Sequence, residues 1–130
     1  MATAALTPRV RTIVICDDVS ASLTEDRVFT LEGVRFEFVA ARLPFRVPLH
    51  VFLALSSSRK GVFPGEIFLV NERTEKVLRY GKFVAEFPGD NQLMPCALDL
   101  GDCFFSNDGL YRIEVYFIFQ APARSKANTH

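Results

Sequence analysis

Asn107-Asp108-Gly109-Leu110-Tyr111-Arg112-Ile113-Glu114-Val115-Tyr116-Phe117 is the stretch that decides the fold. A polar turn runs straight into strict alternation. Side chains of an extended strand alternate with period two, so Tyr111, Ile113, Val115, Phe117 and Phe119 share one face. Arg112 and Glu114 fall on the other. One greasy face and one wet face is the signature of a strand in an antiparallel, two-layer protein.

The same period appears upstream. Residues 10–16 are β-branched and read as a first strand. Asp17-Asp18-Val19-Ser20-Ala21-Ser22 reads as a polar connection. Residues 27–40 read as one long strand or two, broken near Glu32-Gly33, with Val34, Phe36, Phe38 and Ala40 on one side. A glycine inside such a pattern often marks a bulge or bend. Leu43-Pro44-Phe45-Arg46-Val47-Pro48 reads as a loop or an edge, because proline donates no ladder hydrogen bond. Residues 49–56 are apolar on both sides, as in a strand covered twice. Strands are also expected over 66–71, 76–80, 83–87 and 96–100. Asn71-Glu72-Arg73-Thr74-Glu75 reads as a hairpin tip and Pro88-Gly89-Asp90-Asn91 as a turn. Residues 101–109 read as a loop with room for one helical turn, and only residues 23–28 offer a short helix elsewhere. Short strands at regular spacing predict an all-β antiparallel sandwich of about seven to nine strands. It fills residues 10–119, between a loose leader (1–9) and a polar tail (120–130).

Composition supports one domain. The chain has 130 residues, 49% of them hydrophobic, with 13 Phe and no Trp. A domain of this size buries roughly two thirds of its unfolded surface and needs no metal or disulfide staple. Lys plus Arg and Asp plus Glu both number 15. That balance supplies no general field for a nucleic-acid backbone or an anionic bilayer. No apolar run reaches the length of a membrane span. The start lacks the apolar core of a secretory signal. Three cysteines (Cys16, Cys96, Cys103) make a poor disulfide framework, although a Cys16–Cys96 or Cys96–Cys103 bridge stays open. A cytoplasmic protein is expected.

The run Asp108-Gly109-x-Tyr111-x-Ile113-x-Val115 resembles the tyrosine corner of immunoglobulin-like sandwiches. The resemblance makes Asp108, Gly109 and Tyr111 a structural corner, with the Tyr111 hydroxyl bonded back to the backbone. Ile113 stands where antibody domains carry a core cysteine, so the likeness is to the architecture alone. Ile15-Cys16-Asp17-Asp18-Val19, Thr30-Leu31-Glu32-Gly33-Val34 and Arg42-Leu43-Pro44-Phe45 together resemble a family of small bacterial proteins without an assigned activity. That resemblance implies an immunoglobulin-like fold and carries no catalytic residue.

Chemistry is thinly supported. A Cys–His nucleophile would have to use His50 with one of the cysteines, yet His50 sits between Leu49 and Val51, where a structural histidine is the simpler reading. No paired Cys or His spacing points to zinc, and no glycine-rich phosphate loop occurs. Asp17, Asp18, Asp90, Asp99, Asp102 and Asp108 fall in expected loops or strand ends. Loop aspartates can gather around calcium, but aspartate is also common in turns because it bonds its own backbone. No cofactor is expected. The best positive signal is an excess of apolar residues on the second sides of strands: Phe52 and Ala54 on one, Tyr116 and Ile118 on another. A sandwich has one inner side per sheet. The expectation is therefore a non-enzymatic module that docks a protein partner or a second copy, as a homodimer, through an apolar strand face or an edge strand. A calcium- or small-ligand-binding sandwich using Asp17, Asp18, Asp99, Asp102 and Asp108 is the alternative.

Overall fold

A computed structural model describes residues 7–40 and 42–118. Phe119, most of the expected leader and the expected tail lie outside the described residues. Eight strands follow in order: β1 (Arg9–Cys16), β2 (Asp18–Ala21), β3 (Phe29–Glu32), β4 (Phe45–Ser57), β5 (Gly61–Asn71), β6 (Val77–Phe87), β7 (Gln92–Phe105) and β8 (Tyr111–Phe117). No helix occurs among the described residues. Two sheets have three strands each, ordered β1-β4-β7 and β6-β5-β8, and β2-β3 forms a separate hairpin. All pairings are antiparallel.

Period-two alternation makes the core. Leu49, Val51, Leu53 and Leu55 of β4 alternate with outward residues and are at most 1% exposed. Ile67 and Leu69 of β5, Phe83, Ala85 and Phe87 of β6, and Leu100, Cys103 and Phe105 of β7 join them in one cluster. The two large sheets therefore share a single interior. Each such aliphatic side chain contributes about 1.5–3 kcal/mol on burial. Tyr111, Ile113, Val115 and Phe117 pack against that cluster along one face of β8. One end of the interior is closed by rings: Phe38 packs on Phe45 and Phe105, and Tyr111 sits edge-on to Phe105 at 4.9 Å.

Several boundaries differ from those the sequence suggests. The polar connection after β1 holds a strand, β2, because Asp18 to Ala21 finds a partner in β3. Residues 33–40 form no strand. The Arg35 N–H bonds the Ile15 carbonyl and Phe38 reaches the core, so this segment serves as an edge cover and a plug. The proline-bounded stretch opens β4, the central strand of its sheet. Pro48 is tolerated because β1 ends at the Cys16–His50 pair, leaving only β7 beside it. The strands expected over 76–80 and 83–87 are one strand, β6. Gln92 to Phe105 also make one strand where a short strand and a loop were expected. The register slips at Leu49/His50, opposite Leu100 and Gly101, and Gly101 adopts φ +70°. The extra residue is a bulge. The Leu100 carbonyl accepts from Arg79 Nε at 2.6 Å, tying β7 to β6.

Gly101→Ala should lower stability by about 1–2 kcal/mol, the cost of a Cβ in left-handed backbone. The added carbon would also meet Arg79 Nη2 at 2.9 Å. Leu53→Ala should cost about 2–5 kcal/mol through the cavity it opens. Urea melts of the two variants check both values.

Candidate interaction site

The outer face of the β6-β5-β8 sheet is built from residues that alternate with the core. Cross-strand register sets Val84 beside Pro64, Lys82 beside Glu66 and Tyr80 beside Phe68. On the other flank Glu66 faces Tyr116, Phe68 faces Glu114 and Val70 faces Arg112. The Ile118 N–H donates to the Pro64 carbonyl, which extends the ladder past the end of β8. An aromatic run crosses the middle. Phe68 lies 5.0 Å from Tyr80 and 5.7 Å, edge-on, from Tyr116. Each tyrosine hydroxyl donates to a neighbouring carboxylate, Tyr80 to Glu66 at 2.9 Å and Tyr116 to Glu114 at 2.8 Å. Desolvation and the bond to Glu66 hold the Tyr80 phenol above its ordinary pKa, and the bond to Glu114 with desolvation does the same for Tyr116. Much of this face meets solvent: Tyr116 is 51% exposed, Ile118 43%, Val84 61% and Val62 56%.

One end of the face is charged. The Arg112 guanidinium donates to Glu72 of the β5–β6 turn at 2.7 Å, to Glu75 at 2.6 Å and to Glu114 of its own strand. Three carboxylates raise the Arg112 pKa further, and the guanidinium holds Glu75 and Glu114 below the ordinary carboxylate range. The β5–β6 turn is itself ordered by Asn71, whose side-chain oxygen accepts from the N–H groups of Arg73 and Thr74.

The free edge of β8 borders this face. Leu110 O accepts from Glu72 N–H and Ile118 N–H donates to Pro64 O, so the even-numbered residues turn their backbone polar groups toward β5. Tyr111, Ile113, Val115 and Phe117 turn theirs away. Among the described residues no strand pairs with that side.

The structure does not bring the four expected contact residues together. Tyr116 and Ile118 belong to the face just described. Phe52 and Ala54 lie outside the other sheet, on the opposite side of the interior, so the four cannot form one patch. Phe52 is half-buried, with Phe29 of the β2–β3 hairpin 5.4 Å from its ring. That hairpin supplies from the chain itself the second cover on β4. Sequence reasoning missed Val62, Val84, Phe68 and Tyr80 as companions of Tyr116. The alternation of Phe83, Ala85 and Phe87 with Val84 carried the signal for one of them. Nothing in the sequence linked Arg112 to Glu72 and Glu75, some forty residues away.

The corner residues lie where β7 turns into β8. The Tyr111 hydroxyl donates to the Asn107 carbonyl at 2.7 Å, while Asp108 and Gly109 are exposed in the turn. The aspartates stay apart. Asp17 is gripped by Arg35 Nε and Nη2 at 2.9 and 2.7 Å. Asp18 accepts from the Val19 N–H and Asp90 from the Lys60 N–H. Asp99 and Asp102 both lie inside β7, which corrects the loop expected around Asp102, and Asp99 accepts from the Gly101 N–H. Among the described residues no three Asp, Glu, His or Cys gather as a metal site.

Cys16, His50 and Asp99 fall in one cross-strand row. His50 Nε2 lies 3.7 Å from Asp99, and His50 Nδ1 is buried without a partner. The Cys16 thiol is fully buried, and desolvation raises its pKa, the opposite of an activated nucleophile. All three cysteines are free. Two shallow depressions, of about 440 and 330 Å³, are lined chiefly by Arg9, Arg11 and Ser56 and by Asn71, Asp108 and Leu110, with no cysteine or histidine in either. No helix of the described residues is long and apolar enough to cross a membrane. No protein-family model, curated protein or solved structure matches the chain.

The depressed Glu75 and Glu114 pKa values give a signed prediction. Their stabilisation is in place at neutral pH and is lost as acid takes the pH below the ordinary carboxylate value through their lower folded-state values. Arg112→Gln should return both carboxyls toward that ordinary value and flatten the acid limb of the stability curve. Carboxyl NMR titration and urea melts at several acid pH values check it.

Proposed function

We propose that the chain is an immunoglobulin-like sandwich that works as a non-enzymatic protein-interaction module, using the β8 edge and the apolar face beside it. Support for the architecture comes from strand order. In immunoglobulin-like domains the first, second and fifth strands share one sheet, and the strand bearing the tyrosine corner sits in the other. Counted without the β2–β3 hairpin, β1, β4 and β7 are the first, second and fifth strands and share one sheet, while β8, whose Tyr111 makes the corner bond, lies in the other. In such a domain a further strand lies on the far side of the corner strand. That place, beside β8, is unfilled among the described residues.

The single observation that carries the functional reading is this edge. It offers four residues' worth of outward N–H and C=O groups, flanked by Tyr116, Ile118 and Leu110. An extended segment can add to such an edge through main-chain bonds while neighbouring apolar side chains supply specificity. The thiols, buried at Cys16 and Cys103 and each raised in pKa by desolvation, and the dispersed carboxylates give no comparable support to catalysis or to calcium.

Amide hydrogen exchange on the dilute full chain tests the reading. The N–H groups of Arg112, Glu114, Tyr116 and Ile118 should exchange at least about a hundredfold slower than those of Tyr111, Ile113, Val115 and Phe117, because ladder amides exchange only when the strand opens. Uniformly slow exchange along β8 in the monomer would mean that the chain covers its own edge, and the reading would fail.

A further inference from the structure

The other edges of the two three-stranded sheets, β1, β7 and β6, are each obstructed. β1 carries a register shift between Val10 and Thr12, and its Ile15 carbonyl already accepts from Arg35. β7 contains Pro95 and the bulge at Gly101. β6 carries Gly81 and Lys82 and is tied to β7 through Arg79. These are the usual devices against edge-to-edge pairing. β8 has no bulge, and its two charged residues, Arg112 and Glu114, are bound to each other and, through Arg112, to the β5–β6 turn. Tyr111 to Phe117 contains no Pro, Gly or Lys, and its ladder with β5 runs without a register shift. An edge left regular where the others are broken is suited to being paired.

We propose that β8 pairs antiparallel with β8 of a second copy about a two-fold axis through Ile113, joining two three-stranded sheets into one of six; this inference rests on the interaction reading above. Only residues with outward backbone groups can form the hydrogen-bonded pairs. The register centred on Ile113 meets that condition, pairing Tyr111 with Val115 of the second copy and Ile113 with its own counterpart. It sets Arg112 opposite Glu114 and Leu110 opposite Tyr116 on the outer face. Opposite charges then face each other twice, and two exposed apolar residues, Leu110 at 75% and Tyr116 at 51%, cover one another twice. The register centred on Glu114 sets carboxylate against carboxylate, and the one centred on Arg112 sets guanidinium against guanidinium. Charge therefore selects the Ile113 register over its immediate neighbours. An interface that reads the same from both sides is what two-fold symmetry requires.

The test uses the full chain. Light scattering behind size exclusion should give a mass rising with concentration to twice the 14.6 kDa of one chain. In parallel, the amides of Tyr111, Ile113, Val115 and Phe117 should gain protection, while those already bonded to β5 change little. Register is read by cysteine pairing in a Cys96→Ser background. Arg112→Cys mixed with Glu114→Cys should oxidise to a covalent dimer at least about tenfold faster than either variant alone. Directly opposed residues lie within bridging distance, whereas neighbours two along are about 7–8 Å away. A monomer at every concentration, with the four outward amides still fast, overturns the second-copy assignment and leaves the interaction reading standing. Slow outward amides in the dilute monomer overturn both. A dimer that cross-links Arg112→Cys or Glu114→Cys with itself in preference overturns the register.

Discussion

Alternation along β4 turns Leu49, Val51, Leu53 and Leu55 toward the second sheet, and none of the four keeps more than 1% of its surface. The same strand hydrogen-bonds β1 on one side and β7 on the other. It is thus central in two directions at once. A one-residue slip would turn the whole apolar row outward, so the strand fixes the register of its sheet. The bulge at Leu49/His50 absorbs the mismatch between a long β7 and a β4 that must keep its row inward. With the interior assigned, the outer residues have no choice of side, and the contrast between the domain's two outer surfaces follows.

Those surfaces are treated differently. Outside β4, the β2–β3 hairpin brings Phe29 over Phe52, and of the Cys16–His50–Asp99 row Cys16 is fully buried while Asp99 stays exposed. Outside β5 and β8, no segment among the described residues does the same. Tyrosine suits such a surface, since its ring packs on Phe68 while its hydroxyl stays bonded to a carboxylate. Arg112 pins the β5–β6 turn to β8 through Glu72 and Glu75. Each exposed pair of this kind contributes little alone, but three carboxylates on one guanidinium hold the turn and the strand in fixed relation. The result is a strand of unbroken register whose outer side is unpaired among the described residues.

Much of the fold was legible because period two is a local property. The alternation in residues 110–117, the doubly apolar run at 49–56 and the turns at 71–75 and 88–91 all map onto strands and their connections. What was misread shares one cause. Polar Asp18 to Ala21 becomes a strand only because β3 pairs with it, and the alternating residues 34–40 touch β1 through the Arg35–Ile15 backbone bond without forming a ladder. Pro48 looked like a break, yet it sits where β1 has already ended. Strand identity at these places is conferred by a neighbour distant in sequence.

By itself, then, the sequence determined an antiparallel all-β chain with a phenylalanine-rich interior, no helix of consequence, and more apolar strand residues than one interior can hold. Side-chain periodicity suffices for that, because each residue's side follows from its neighbours along the chain. Only the tertiary structure decided which surplus residues are covered, that Phe52 and Tyr116 lie on opposite outsides, that Arg112 gathers three glutamates, and that no strand among the described residues pairs with the outer side of β8. Those outcomes depend on strand order and on which segments fold over which sheet, and strand order is set by long-range packing that no local pattern encodes.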